Sequence, residues 1–253
     1  MTKHFPSSPL RFYLTAPAPC PYLPALQERK VFTSLESNDA VALNNALTHA
    51  GFRRSQNIAY RPACEACEAC LSARICALEF VPTRRWKRVL AANGDLVRAR
   101  KGAMVSPEHF ALLQRYLNAR HSDGGMAGMS FEDFAGMVED TLVHTHIVEY
   151  RPAAGPLAGR LMAAALVDVL RDGLSLVYSF FDPDFTARSL GSFVILDHVR
   201  QAQLAKIEYV YIGYWISGSE KMAYKAAFQP LELLQGGAWR RDHVHGASGP
   251  SAP

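Results

Sequence analysis

The sequence contains no long apolar run of the kind that crosses a membrane. No stretch of its 253 residues approaches the roughly 20 consecutive apolar residues of a transmembrane helix. The first nine residues are polar and contain proline, and they lack the basic start and apolar run that mark a secretory signal peptide. These absences exclude a membrane partner and predict a cytoplasmic protein.

Cysteine is scarce and clustered: Cys64, Cys67, Cys70 and Cys76 fall within 13 positions, and Cys20 stands apart. Without an export signal, disulfides are not expected to persist, and clustered thiols are more typical of metal or redox sites. The C-x2-C-x2-C spacing of the first three, with Cys20 as fourth ligand, predicts a zinc site or an iron–sulfur cluster. Thiols without metal, packed near a substrate pocket, are the alternative, and Cys76 is expected to be a buried apolar residue.

Positive charge is concentrated in the first part of the chain. Residues 1–101 hold 15 Lys and Arg against 7 Asp and Glu, so +8, whereas residues 102–253 hold 12 against 16, so −4. A basic part beside a mildly acidic one favours a polyanionic partner such as a nucleic acid. A solvated basic face is the alternative interpretation.

The apolar pattern divides the chain into a Cys-containing basic region (residues 1–100), a second region (104–240) and a disordered tail (241–253). The second region predicts the order helix, helix, three strands, helix, strand, helix. Its strands and long helix are expected at residues 146–151, 160–170, 174–181 and 187–206. An antiparallel meander that leads into a long helix, whose N-terminus faces an acyl donor, is typical of an α+β, acetyltransferase-like (GNAT-like) fold.

Several short runs, taken together and in order, resemble one family. These runs are CPYLP (20–24), GFRRSQ (51–56), YRPAC (60–64), CEAC (67–70), FDPD (181–184), SLG (189–191), YVYIGY (209–214), KMAYK (221–225) and PLELL (230–234). The chain is similar in them to the arginyl- and leucyl-tRNA–protein transferases of the N-end rule. Its compact length resembles the bacterial branch, the aspartate/glutamate leucyltransferases.

The resemblance implies an aminoacyltransferase with an acetyltransferase-like fold. Its partners would be an aminoacyl-tRNA, by the same resemblance Leu-tRNA, and proteins that begin with Asp or Glu, which it would mark for degradation. No cofactor would be required for the transfer. Eukaryotic relatives carry a cluster near comparable cysteines, so the resemblance also allows an iron–sulfur cluster here.

One departure concerns the acyl donor. Acetyl-CoA enzymes carry R/Q-x-x-G-x-G/A at the start of the long helix, where backbone N–H groups hold the pyrophosphate. Here Phe193 stands in the last small position of the run that begins at Arg188. The sequence therefore favours a donor other than CoA.

Recognition of an acidic N-terminal residue requires a cation, and the planar fork of Arg suits a carboxylate. Arg53, Arg54 and Arg61 are the N-terminal candidates, with Tyr60 as an added hydroxyl. Arg188 and Lys221 are the candidates in the second region. The alternative is that two of the three N-terminal arginines make only surface or structural ion pairs.

An amine that attacks an activated ester needs positioning and a proton acceptor but no covalent nucleophile, and no Ser-His-Asp or Cys-His signature is present. Asp182 and Asp184 are candidate proton acceptors, although Asp-Pro also forms ordinary turns. Tyr214 and Tyr224 are candidates for orienting the amine or protonating the leaving oxygen.

Other residues suit the phosphates of a tRNA. Ser189 and Gly191, at the start of a helix, are candidates for binding a phosphate or the ester oxygen. Lys221 and Lys225 would share one helical face and hold phosphates, or else form a solvated face. The basic run 84–88, with Trp86 to stack on a base, suits the acceptor arm, and a solvated basic loop is the alternative.

Two other classes of function stay open. A CoA-dependent N-acetyltransferase would share the fold and the amine acceptor. A non-enzymatic, cysteine-rich protein that binds RNA or senses redox state would use the cysteines and the basic run, but it would leave the second region unexplained.

Overall fold

A computed structural model describes residues 10–36, 39–121, 124, 126 and 128–242 and gives a mixed α+β fold. Its strands are β1 (Tyr13–Leu14), β2 (Ala18–Pro19), β3 (Gln27–Glu28), β4 (Lys30–Ser34), β5 (Arg53–Ser55), β6 (Ile58–Pro62), β7 (Cys70–Cys76), β8 (Leu96–Gly102), β9 (Thr145–Pro152), β10 (Ala163–Val169), β11 (Gly173–Phe181), β12 (Tyr209–Ile216), β13 (Leu231–Gln235) and β14 (Ala238–Arg241). Its helices are α1 (Ala40–His49), α2 (Arg84–Ala92), α3 (Pro107–Arg120), α4 (Phe131–Glu139), α5 (Leu190–Leu204) and α6 (Glu220–Ala223). Short 3-10 helices cover Ala77–Glu79, Pro183–Arg188 and Tyr224–Ala227.

The largest sheet has eight strands in the order β14-β13-β7-β12-β11-β10-β9-β8. Strands β11 and β12 pair in parallel, and the other neighbours in this sheet pair antiparallel. Strand β7, from the Cys-containing region, lies between β12 and β13, and β8 forms one edge. The large sheet therefore extends across the boundary predicted near residues 100–104.

Helices cover both faces of this sheet, and the central strand β10 shows why. Ala163, Ala165 and Val167 belong to the core under α5, whereas Ala164 and Leu166 belong to the core under α3 and α4. Successive side chains of a strand point to opposite faces, so a strand buried on both faces must be apolar throughout. No helix in the described part of the chain is long and apolar enough to span a bilayer.

A smaller sheet has the strand order β1-β4-β6-β5. Its strand β5 carries Arg53 and Arg54, whose side chains reach β11 and β10 of the large sheet. Helix α1 packs on it through a core of its own, which includes Leu35, Leu47, Phe52 and Ala59. Phe52 leads directly into β5, so this packing fixes the position of the next residue, Arg53.

The end of the chain differs from its prediction. Arg241 is the last residue of β14 and pairs with Glu232 of β13, and the following residue, Asp242, is buried and donates its backbone N–H to the carbonyl oxygen of Leu231 at 2.8 Å. The disordered tail predicted from residue 241 therefore starts too early, because strand pairing orders its first two residues. Residues 243–253 of that prediction lie outside the described residues.

Candidate active site

Strands β11 and β12 part and leave a cleft between them. They pair over Gly173–Ser175 and Tyr209–Tyr211, and beyond these residues the described strands no longer pair. Arg53 reaches from β5 to the freed edge of β11, where its Nη2 donates to the carbonyl oxygens of Val177 at 2.9 Å and Leu176 at 3.4 Å. The guanidinium thus replaces the strand partner that these carbonyl groups lack.

Gly213 makes room for this guanidinium on the other wall of the cleft. A Cβ atom at Gly213 would lie 2.4 Å from Nη1 of Arg53, and the residue has a φ of +78°. The register between β12 and β7 also shifts between Tyr211 and Gly213, as in a β-bulge. A glycine inside an apolar strand often marks such a close approach, so the run YVYIGY carries a usable signal that the sequence prediction did not exploit.

Tyr214 joins three parts of the cleft. Its ring lies 5.8 Å from Cζ of Arg53 and 6.5 Å from the ring of Tyr60. Its hydroxyl is hydrogen-bonded to the carbonyl oxygens of Gly51 and Tyr60, both at 3.1 Å, and burial raises its pKa. These two contacts give the hydroxyl a structural task, and its catalytic role stays a prediction.

Lys225 lies beneath Tyr214. Only 5% of the residue is exposed, and its Nζ donates to the carbonyl oxygen of Tyr214 at 2.6 Å. Burial, and then the charge of Arg53, hold the pKa of Lys225 well below its usual value. The shared helical face predicted for Lys221 and Lys225 is wrong, because α6 ends at Ala223 and a 3-10 turn directs Lys225 inward while Lys221 stays exposed.

Tyr224 lies at the mouth of this arrangement and is 39% exposed. Its pKa rises to about 12, chiefly through burial of its hydroxyl, with Tyr116 and Arg53 close enough to act on it electrostatically. Tyr22, from the CPYLP run, has a pKa raised by burial and interacts electrostatically with Arg53 and Tyr60. The sequence prediction did not single out Tyr22 or Tyr116 for this cleft.

The other predicted arginines have partners elsewhere. Arg54 is buried and binds Asp168 through Nε at 2.7 Å and Nη2 at 2.8 Å. Arg61 is exposed and lies over the ring of Phe52, 5.1 Å from its centroid. Arg54 thus makes a structural ion pair, as the alternative for these arginines expected, whereas a substrate contact by the exposed Arg61 stays a prediction.

Arg188 is also engaged, through the loop after α2. Its Nε donates to Oδ1 of Asn93 at 3.1 Å, and its Nη2 forms an ion pair with Asp95. Within the described residues, no hydrogen bond or ion pair connects it to Arg53 or Lys225. A substrate contact by Arg188 stays a prediction.

Asp182 is a buried, paired carboxylate. The residue is 1% exposed, and its Oδ2 accepts from Arg160 at 2.5 Å and from Arg115 at 3.1 Å. Its Oδ1 accepts the backbone N–H of Asp184 at 3.2 Å and so begins the 3-10 helix. Both oxygens already accept hydrogen bonds, so Asp182 is poorly placed to take a proton, and Asp184 is exposed at the surface.

The start of α5 differs from a phosphate-binding turn. Ser189 is exposed, has a φ of +50° and makes no side-chain cap. A Cβ atom at Gly191 would lie 2.9 Å from the ring of Phe181, so packing requires this glycine. Phe193 is 7% exposed, and its ring lies 5.4 Å from that of Tyr150 in the core. Phe193 therefore departs from the CoA-binding pattern because its side chain packs in the core.

The cysteines lie near one another, but the described residues give no support to the predicted metal site. Cys70 is half-buried, and its pKa rises to about 11 through burial and through the neighbouring thiols of Cys20, Cys64 and Cys67. Across the described residues, which include all five cysteines, no group of three or more Cys, His, Asp or Glu could hold a metal ion. The predicted zinc or iron–sulfur site is thus unsupported, and Cys76 is buried as expected.

The basic run 84–88 lies in helix α2 (Arg84–Ala92), whereas the alternative interpretation of this run was a solvated basic loop. Trp86 is 2% exposed, stacks on Phe228 at 4.4 Å and donates from Nε1 to the carbonyl oxygen of Ala227 at 3.3 Å. Stacking of Trp86 on a base is therefore excluded, since the indole is already buried. The four cations of the run, Arg84, Arg85, Lys87 and Arg88, are exposed around it.

Comparisons with known proteins agree over nearly the whole chain. The family model described as "Arginine-tRNA-protein transferase, C terminus" matches residues 108–235, and the corresponding N-terminus model matches residues 18–88. The chain is 59% identical to an aspartate/glutamate leucyltransferase of Phenylobacterium zucineum (strain HLK1), over 94% of this chain and 93% of that one. It is 58% identical to one of Caulobacter vibrioides (strain NA1000 / CB15N), over 94% and 86% respectively.

A solved structure of L-PGS from Bacillus licheniformis is similar over 63% of this chain and 52% of that one, with a TM-score of 0.41 and 12% identity. Both family models and the identities above 50% thus confirm the resemblance found in the short runs. The chain belongs to the arginine-tRNA–protein transferase family, in the branch of the bacterial aspartate/glutamate leucyltransferases.

Proposed function

We propose that this chain transfers leucine from Leu-tRNA to the N-terminal Asp or Glu of other proteins and so marks them for N-end rule degradation. The relatives' names and their near full-length identity support the reaction class and the amino acid. The observation that carries the proposal is the cleft between β11 and β12, in which the guanidinium of Arg53 lies on Gly213. A fixed cation in a cleft can bind the negative side chain of an acceptor protein that begins with Asp or Glu.

The arrangement of elements supports an acetyltransferase-like fold. Three antiparallel strands, β9 to β11, lead into α5, and β12 returns parallel to β11 before the two strands part. In this proposal the parted strands form the acyl-transfer cleft. Phe193, which packs in the core, replaces the small residue of the CoA pattern, and this departure favours a donor other than CoA. The relatives' names support aminoacyl-tRNA as that donor.

The chemistry requires little beyond positioning. An α-amine has a pKa of about 8, so a useful fraction is neutral at cellular pH. Its nitrogen attacks the ester carbonyl carbon, an amide bond forms, and the bond to the ribose oxygen breaks. One proton leaves the amine and one reaches the ribose oxygen. Arg53 orients the acceptor protein by binding the side-chain carboxylate of its N-terminal Asp or Glu, and no cofactor takes part.

The exposed cations of α2 fit the donor side of the reaction. Arg84, Arg85, Lys87 and Arg88 offer charge to tRNA phosphates without reading sequence. The cytoplasm, the compartment predicted from the sequence, would supply both aminoacyl-tRNA and acceptor proteins.

The test is to incubate the protein with Leu-tRNA and a peptide that begins with Asp, and to measure the peptide mass. A gain of one leucyl residue that ribonuclease abolishes is the expected result. A gain only with Arg-tRNA would keep the family and refute the donor. A gain with acyl-CoA alone would favour an acetyltransferase, and RNA binding without any product would favour a non-catalytic protein.

A further inference from the structure

Arg53 and Lys225 are basic groups in the cleft that lack a counter-ion among the described residues, and because burial lowers the pKa of Lys225, a bound anion would favour its charged form. Neither takes part in any ion pair of the described residues, and their acceptors are backbone carbonyl groups at Leu176, Val177 and Tyr214. Arg54, one position along the chain, is by contrast neutralised by Asp168 in a two-point pair. Burying a cation without a negative partner is costly and lowers the pKa of a lysine, so a ligand that supplies a negative charge would be bound favourably beside these two groups.

The two cations meet on neighbouring residues of one strand. The guanidinium of Arg53 lies against Gly213, and the ammonium of Lys225 binds the carbonyl oxygen of the next residue, Tyr214. Their charges act on one another, since Arg53 contributes to lowering the pKa of Lys225. An anion that enters the cleft would therefore be attracted by both groups at once.

Unused donors remain on both groups. An ammonium has three N–H donors, and one of those on Lys225 is directed at Tyr214. A guanidinium has five, and among the described residues only Nη2 of Arg53 donates a hydrogen bond. A carboxylate accepts at both oxygens, whereas an amide turns an NH2 group toward the same donors. The site is thus built for a carboxylate and against its amide.

We infer that Lys225 and Arg53 together form the receptor for the side-chain carboxylate of the acceptor's first residue. This inference rests on the proposed function and deepens it, because it makes Lys225 the residue that separates Asp and Glu from Asn and Gln. Lys225 is too buried to hold tRNA phosphates, which the exposed cations of α2 can reach. Tyr224, which precedes Lys225 in the chain, is 39% exposed.

The test compares acceptors that begin with Asp and with Asn, in Lys225→Met and in a matched variant, Lys206→Met, whose lysine is exposed two residues after α5. Lys225→Met should lower kcat/KM for the Asp peptide on the order of 10- to 100-fold, because charged hydrogen bonds are lost. Transfer to the Asn peptide and affinity for Leu-tRNA should not change, and Lys206→Met should resemble the parent protein. An equal loss on both peptides, or none on either, would overturn the inference.

A second measurement needs neither tRNA nor transfer. Calorimetry should show that the parent protein binds the dipeptide Asp-Ala at least roughly 10-fold more tightly than Asn-Ala, and that Lys225→Met removes the difference. If Lys225→Met lacks a cooperative unfolding transition, Lys225→Gln, which keeps a donor for Tyr214, replaces it. Acid-selective binding without leucine transfer would keep the receptor and refute the proposed reaction. Transfer without acid-selective binding would refute the receptor alone.

Discussion

Asp182 illustrates how a residue can match a catalytic pattern and serve the fold. Arg115 and Arg160 both bind its buried Oδ2. We expect Asp182→Asn to lower the free energy of unfolding by about 2 kcal/mol, because it leaves two guanidiniums without their charge partner. Urea unfolding checks the stability, and kcat should change less than about 10-fold, which is small for the loss of a general base.

The control for this variant is Asp140→Asn, which changes an exposed carboxylate at the end of α4 and should alter neither quantity. A drop in kcat of more than about 100-fold with an unchanged unfolding midpoint would return Asp182 to the role of proton acceptor.

Gly213 offers a sharper test of the cleft, because Gly237 matches it. Both residues have a φ of +78°, but a Cβ atom at Gly213 would strike Arg53, whereas nothing lies within 4 Å of one at Gly237. Each change to Ala should cost roughly 1 kcal/mol of stability through left-handed strain. Only Gly213→Ala should also lower transfer to an Asp peptide, by roughly 10- to 100-fold, because it displaces the guanidinium. Equal activities in the two variants would contradict a role for Arg53 at this position.

The sequence could predict that an arginine near residue 53 matters, but it could not say which one. Arg53 and Arg54 are adjacent in β5, so their side chains point to opposite faces. The partner that neutralises Arg54 is Asp168, 114 residues away, and the strand separation that exposes carbonyl groups to Arg53 arises from tertiary structure. Residue type is local information, whereas the partner of a charge is not.

At the scale of elements, helix α2 carries a buried structural residue on one side and exposed cations around it. Trp86 fixes the helix to Phe228, and the cations around it face solvent. The double change Arg84→Ala and Arg88→Ala should weaken tRNA binding and reduce the slope of log affinity against log salt by about 1 to 2. Arg200→Ala with Lys206→Ala, two exposed cations of the α5 segment, should leave the slope unchanged. Equal slopes in all three proteins would remove α2 from the tRNA surface.

The packing of α5 on β9 buries two histidines. His146 and His198 are 5% and 0% exposed, and burial lowers the pKa of each to about 4. Unfolded histidine has a pKa near ~6.5, so the unfolded chain binds more protons as pH falls from about 6.5 to 4, and stability is lost there.

At a pH of about 5 the loss is about 2 kcal/mol for each histidine. His146→Gln should reduce the difference in the free energy of unfolding between about pH 7 and pH 5 by that amount, as measured by urea titration. The exposed His144, two positions away, provides the control as His144→Gln. If His146→Gln left the difference in the free energy of unfolding between the two pH values unchanged, the buried imidazole would have to accept a proton without opening the fold.

Prediction of elements succeeded where apolar periodicity is strong. The strands expected at 146–151 and 174–181 are β9 and β11 to within one residue at each end, and the long helix is α5. Helix α2 was not predicted, although Trp86, Val89 and Leu90 recur at helical spacing and pack on the core, because the dense run of cations was interpreted for its charge alone. The final helix changes to a 3-10 turn at Tyr224, because Lys225 must turn inward to the carbonyl oxygen of Tyr214.

At the scale of the whole molecule, the two predicted regions share a sheet. Strand β7 pairs with β12 over Cys70–Cys76 and with β13 through Leu231–Leu233. Its Ile75 is fully buried in the core under α5. Composition and charge separate the regions clearly along the sequence, but neither property records that a strand of the first completes the sheet of the second.

This strand insertion predicts that residues 104–242 do not fold alone. Without β7, the edges of β12 and β13 would expose unpaired backbone groups, and the core would lose Ile75. The fragment should aggregate or show no cooperative unfolding in urea, and co-expression with residues 10–102 should restore both solubility and a single transition. A monomeric fragment with its own cooperative transition would instead make the predicted boundary a true domain boundary. Strand β7 would then act as a link between two stable units, and the position of Arg53 in the cleft would depend on how firmly that link holds.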